Sequence, residues 1–145
     1  MTKLTIRSEL DALRDQLTSS FDPDKRRIFV CMGTGCKACG GDEILDSLDK
    51  VLKEAKLDDQ VEVVMTGCRG FCENGSLVAV RPQGTLYCRV SPDDVPDIVE
   101  KTVESGDVIE RLLYEMPGSV EGSARHRISA EKEIPFYHHQ MPIVL

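Results

Sequence analysis

Two stretches decide the fold, Val30-Cys31-Met32-Gly33-Thr34-Gly35-Cys36 and Thr66-Gly67-Cys68-Arg69-Gly70-Phe71-Cys72. Each begins where a short β-branched run ends: Arg27-Ile28-Phe29-Val30-Cys31 before the first, Val61-Glu62-Val63-Val64-Met65 before the second. Such runs, stopped by glycine, read as strands feeding glycine-rich loops. If the two strands are neighbours, both loops leave the sheet at one end and four sulfurs, on Cys31, Cys36, Cys68 and Cys72, can converge there.

The flanking sequence fits a sheet with helices. From Asp42, the residues Ile44, Leu45, Leu48, Val51, Leu52 and Ala55 lay one apolar stripe along a helix of roughly 14 residues. Residues 76 to 90 read as a β-hairpin turning at Pro82-Gln83-Gly84. Ser91-Pro92-Asp93-Asp94 predicts a turn, with a helix proper from Pro96 that ends at Ser105-Gly106. Asp107 is expected to cap a further short helix whose apolar side is Val108, Ile109, Leu112 and Leu113. Ahead of the strands, Ile6, Leu10, Leu13 and Leu17 predict an amphipathic helix over residues 3 to 19. Behind them, residues 117 to 130 lack any period and read as a linker, and 134 to 145 are apolar and aromatic. Order across 117 to 145 is expected only against a partner or the N-terminal helix. The chain therefore divides into an N-terminal helix and linker (1–26), an α/β domain (27–105), a short helix (106–116) and a linker with tail (117–145). The order β-α-β, hairpin, helix is that of a thioredoxin-type sandwich, a mixed four-stranded sheet flanked by helices.

Composition narrows the function. The 145 residues are 41% hydrophobic and 30% charged, an ordinary globular balance. A net charge of -7 opposes the counterion-release attraction of nucleic acid. No apolar run approaches the ~20 residues that span a bilayer, and residues 1 to 10 lack a signal-peptide core, so the expectation is a cytoplasmic protein. Thiols stay reduced there, and six clustered cysteines point to metal or redox chemistry rather than structural disulfides.

Cys31 and Cys36 are spaced C-x4-C, Cys68 and Cys72 C-x3-C. Four thiolates suit zinc or an iron–sulfur cluster. A cluster also needs backbone N–H groups near its sulfur atoms, and Gly33, Gly35, Gly67 and Gly70 permit that approach. All three histidines (His126, His138 and His139) lie in the last twenty residues, leaving a Cys/His zinc site without a nearby imidazole. Cys36-Lys37-Ala38-Cys39 competes for Cys36, because C-x2-C before a helix is also the pattern of a thiol–disulfide oxidoreductase. Cys39 otherwise reads as a small residue at a helix start or an alternate ligand, and Cys88 as a small buried hydrophobe in a strand. Arg69 reads as a solvated loop cation or a charge that favours a reduced cluster. Phe71 reads as a water shield or a loop anchor, and the His138-His139 pair as solvent-facing.

These motifs, with Glu73-Asn74-Gly75, the hairpin bearing Tyr87 and Ser91-Pro92-Asp93-Asp94-Val95-Pro96, resemble the thioredoxin-like [2Fe-2S] ferredoxin domain. The form resembled is the one fused to the flavin-binding, NADH-oxidising subunit of NAD-linked hydrogenases, formate dehydrogenases and complex-I-like NADH dehydrogenases. Ile134-Pro135-Phe136-Tyr137 through Ile143-Val144-Leu145 resembles the junction into the flavin domain. The resemblance implies a [2Fe-2S] cluster on Cys31, Cys36, Cys68 and Cys72, with Cys39 and Cys88 outside the ligand pattern. It implies no catalytic residue, and a relay of single electrons between a flavin/NADH partner and other iron–sulfur subunits or a ferredoxin. FMN and NADH belong to that partner, since no glycine-rich nucleotide loop occurs in this chain.

Overall fold

The computed structural model describes residues 6–20, 22–116 and 126–140. Strand β1 (Arg27–Cys31) lies between β2 (Glu62–Thr66) and β3 (Val78–Arg81), and β4 (Thr85–Tyr87) closes the order β2-β1-β3-β4. β1 runs parallel to β2 and antiparallel to β3, so the sheet is mixed. The parallel register sets Cys31 opposite Thr66, which carries both strand ends to the same edge of the sheet.

Alternation along β1 assigns the two faces. Ile28 and Val30 are buried against helix α3 (Gly41–Glu54), whose Ile44, Leu48 and Leu52 form the predicted stripe. Each such side chain contributes about 1.5–3 kcal/mol by leaving water. The same face receives Val95, Ile98, Val99 and Val103. They belong to α4 (Val95–Asp97) and to the π-helical stretch Ile98–Glu104 that continues it. A 3₁₀ turn, Pro92–Asp94, leads directly into α4, so Pro96 sits inside the helix near its start rather than at its first residue. There its missing N–H is one that the first turn leaves unused anyway. On this side Tyr87 is fully buried, its hydroxyl bound to Thr102 Oγ1 at 2.5 Å and accepting from Ile109 N–H at 3.2 Å.

The opposite face holds Cys31, Leu77, Ala79, Leu86 and Cys88. It is covered not by a long helix but by the chain after residue 111. Strand β5 (Tyr114–Glu115) pairs antiparallel with β6 (Arg127–Ile128), Leu86 N–H bonds Ser129 O, and Cys88 N–H bonds Leu112 O. Ile134, fully buried, precedes helix α5 (Pro135–His138). This revises four sequence expectations. The helix expected after Asp107 is only the 3₁₀ turn Glu110–Leu112, because Ile109 is extended to reach Tyr87. Residues 126–140 are ordered against the domain's own sheet, not against a partner or the N-terminal helix. Thr34–Ala38, expected as glycine loop, forms a short helix α2. Cys88 lies just past β4. The expected linker and tail residues 117–125 and 141–145 fall outside the described residues.

Helix α1 (Arg7–Ser20) forms as predicted, with residues 3–5 outside the described range, and buries none of its residues. No helix among the described residues is long and apolar enough to cross a membrane.

Asp94 ties the start of α4 to the turn Glu110–Leu112. Ser91 donates to its Oδ2 from both backbone N–H and hydroxyl, each at 2.8 Å, and Arg111 pairs with its Oδ1. Burial pushes this carboxyl up, but the bonds from Ser91 and Arg111 outweigh it and hold its pKa below the ordinary value. A depressed folded pKa gives stability that is present above the usual carboxylate range and lost as pH falls through the folded value. Asp94→Ala is expected to cost about 1–2 kcal/mol in urea unfolding at pH 7. The gap between variant and wild type narrows as pH falls below the ordinary carboxylate range.

Candidate metal centre

The parallel pairing of β1 and β2 builds the site. Met32 N–H continues the ladder to Thr66 O at 2.9 Å, which holds the two loops side by side as they leave the sheet. Cys31 ends β1, its thiol 3.6 Å from Gly67 O, and Cys36 sits buried on α2. Cys68 and Cys72 lie exposed on the second loop, their sulfurs 3.4 Å apart. Gly70, at φ +78°, turns its N–H onto Cys68 Sγ at 3.3 Å.

The loops meet only because side chains are missing between them. A Cβ on Gly33 would stand 2.8 Å from Cys68 Cβ, and one on Gly75 would stand 2.9 Å from Cys36 Sγ. Gly33 was legible as a close-approach position; Gly75 was not, because the contact depends on a loop returning under α2. Gly67 has nothing within 4 Å of its Cβ position, so no neighbouring protein atom requires glycine there.

Two thiols come from each loop, and Cys68 and Cys72 share a hydrogen bond. Burial first, then Cys31 and the nearby Cys72 charge, pushes the Cys36 thiol up to about 11. The Leu77 backbone opposes this. Cys72 is raised by its bond to Cys68 and by the Cys68 charge, whereas the Gly70 N–H, followed by Cys72, lowers Cys68. Four thiolates crowded this way repel one another until a cation lies among them. Among the described residues, no three His, Cys, Asp or Glu side chains converge on one single-ion position. Two thiols from each loop, with the Gly70 N–H on Cys68 Sγ, suit a group that takes thiolates in pairs and tolerates N–H donors at sulfur.

The remaining candidates separate clearly. Cys39 is exposed at the C-terminal end of α2, while Cys36, its partner in the C-x2-C reading, is buried with its pKa raised. A thioredoxin-type nucleophile requires the opposite, a lowered and accessible thiol at a helix start. Cys88 is buried, which pushes its thiol up to about 11. His138 and His139 are exposed, their rings 5.1 Å apart.

Arg69, read as a solvated loop cation or as a charge that favours a reduced cluster, is mostly buried and paired with Glu131, whose other oxygen takes Arg81 at 2.5 Å. Burial and the neighbouring Arg69 charge lower the Arg81 pKa. Phe71 is an anchor: its ring lies 5.1 Å from both Tyr114 and Phe136 and 5.8 Å from Tyr137. Glu131 had no signal in the sequence, since the run Glu131-Lys132-Glu133 has the pattern of a solvated turn.

Comparisons with known proteins agree with this geometry. A family model described as thioredoxin-like [2Fe-2S] ferredoxin matches residues 19–103. A Clostridium pasteurianum protein named "Ferredoxin, 2Fe-2S" is 38% identical over 98 residues, covering 61% of this chain and 94% of that one. Its Aquifex aeolicus namesake is 31% identical over 97 residues, covering 61% and 87%. The solved structure of a thioredoxin-like [2Fe-2S] ferredoxin from Aquifex aeolicus superposes with a TM-score of 0.57 at 30% identity, covering 66% of this chain and 98% of that one. All six cysteines fall within the family-matched stretch, and β5, β6 and α5 lie beyond it.

Thiol accessibility gives a test. At pH 8, with its pKa near 11, only about one Cys88 in a thousand is thiolate, and burial blocks the rest. Iodoacetamide followed by peptide mass spectrometry should label Cys39 within minutes and leave Cys88 unlabelled until urea unfolds the chain. Equal labelling of both in the folded chain would contradict the packing.

Proposed function

The chain belongs to the thioredoxin-like [2Fe-2S] ferredoxin family, and from that premise we propose that it relays single electrons within an NAD-linked oxidoreductase. The family carries a [2Fe-2S] cluster and transfers electrons, so this chain is an electron carrier of that type. The finer reading assigns the cluster to Cys31, Cys36, Cys68 and Cys72. The observation that carries it is the arrival of two thiols from each loop at one edge of the sheet, with Cys31 Sγ 3.6 Å from Gly67 O of the other loop and the Cys68 and Cys72 sulfurs 3.4 Å apart.

When bound, a [2Fe-2S] cluster takes up and gives back one electron, and the protein supplies position and potential. Cys31 and Cys36 lie in the core and hold the inner side. Cys68 and Cys72 are exposed and present the outer side to a docking partner. Gly70 directs its N–H at Cys68 Sγ, which offsets negative charge. No acid, base or nucleophile is needed, and the reading names none.

The partners in this reading are a flavin/NADH-binding subunit on one side and an iron–sulfur subunit or ferredoxin on the other, in the cytoplasm. It is supported by the resemblance of Ile134 to Tyr137 and Ile143 to Leu145 to the junction with a flavin domain. The thiol–disulfide alternative on Cys36 and Cys39 finds no support in a buried, raised Cys36. A structural zinc adaptor is separated from the relay by metal content alone.

The test is a visible spectrum with iron, sulfide and zinc analysis of anaerobically purified protein. The relay predicts two irons and two sulfides per chain and a coloured protein that bleaches on one-electron reduction. A colourless protein with one zinc, and no iron after anaerobic reconstitution, would refute it. Replacing Cys31, Cys36, Cys68 or Cys72 singly by alanine should cut cluster retention at least about tenfold, while Cys39→Ala and Cys88→Ala retain it.

A further inference from the structure

The Cys68–Cys72 loop is gripped from outside by the segment that follows the family-matched stretch. Glu131, buried among Ile128, Ile134 and the hairpin, reaches Arg69 with one carboxylate oxygen and Arg81 with the other. Arg69 lies between the two cysteines of that loop. Phe136 covers Gly70 so closely that a Cβ there would meet its ring at 3.1 Å, and it stacks on Phe71 with an interplanar angle of 15°. Tyr137 donates its hydroxyl to Arg69 O at 3.4 Å, and the Arg69 guanidinium lies 6.0 Å from the Tyr137 ring centre. Charge, aromatic stacking and a backbone hydrogen bond all converge on three consecutive residues, Arg69, Gly70 and Phe71.

We infer that residues 131–137 form a strap in which Glu131 is a positioning residue for Arg69, fixing a balance of charge beside the cluster loop that sets the reduction potential. This rests on the assignment of Cys68 and Cys72 as cluster ligands. Two guanidiniums share one carboxylate, so the group carries one surplus positive charge. The side chains of Glu131 and Arg69 are only 10% and 19% exposed, so salt and water screen this charge weakly. Reduction adds one negative charge to the cluster, and each positive charge held nearby favours the reduced form. Glu131 tempers that effect while keeping Arg69 in place.

The charges give an ordering that no purely structural role would produce. Arg69→Gln removes a positive charge and lowers the midpoint potential. Glu131→Gln removes the negative charge and raises it. Glu131→Asp keeps the charge and stays near wild type. The expected change in the reduced-to-oxidised ratio at a fixed potential is on the order of tenfold for each neutral variant, the size of one unit charge acting through an effective dielectric near 20.

The experiment is a spectroscopic redox titration of the four purified proteins, wild type included. It is paired with hydrogen-exchange mass spectrometry of peptides spanning 66–74 and 126–140. Opposite shifts for Arg69→Gln and Glu131→Gln, with Glu131→Asp at the wild-type value and faster exchange in both peptides of Glu131→Gln, support the strap. Shifts of the same sign, or none, overturn the charge balance. Unchanged exchange in Glu131→Gln overturns the strap itself, whether or not iron is present. A wild-type chain that takes up no iron or sulfide fails the ligand assignment instead, and the potential ordering falls with it.

Discussion

Parallel pairing of β1 with β2, in the register that sets Cys31 against Thr66, is the constraint on which the site depends. Parallel strands must be joined by a crossover, and α3 supplies it, packed by Ile44, Leu48 and Leu52 on the face formed by Ile28 and Val30. A slip of one residue would turn Ile28 and Val30 away from α3 and move Cys31 off the loop. The burial of α3 and the meeting of the thiols are thus one event in the packing. The two glycines at the crossing, Gly33 and Gly75, then decide how closely the loops approach.

The surroundings divide the four thiols by exposure. Cys36 is buried on α2, while Cys68 and Cys72 face solvent with Gly70 N–H on Cys68. An electron carrier needs this asymmetry: one side seated in the core for geometry, the other near the surface for transfer. The strap of residues 131–137 lies against the exposed loop, so the segment outside the family-matched stretch meets the side where a partner would exchange electrons.

Local sequence carried the strands, α3 and the cysteine spacing, because each is a periodic or punctuated pattern within a dozen residues. The short helix α2 was hidden by its glycines, and the path after Gly106 by Ile109, whose apolar helical spacing yields to a hydrogen bond with buried Tyr87. The role of residues 126–140 was unreadable for a different reason. Glu131 and Phe136 are informative only through contacts with Arg69, Gly70 and Phe71, more than sixty positions earlier in the chain. No local pattern distinguishes a buried Glu131 from a solvated one. The solvated reading of Arg69 fails for the same cause, since its exposure is set by that distant carboxylate.

The central claim is that each loop presents a pair of thiols to its own metal atom. A crystal structure of the anaerobically reconstituted protein, with anomalous data collected at the iron edge, tests it most directly. The pairing predicts two iron positions, one bounded by the sulfurs of Cys31 and Cys36 and the other by those of Cys68 and Cys72. A single metal ion held by all four sulfurs, or iron bound to Cys39, would contradict it.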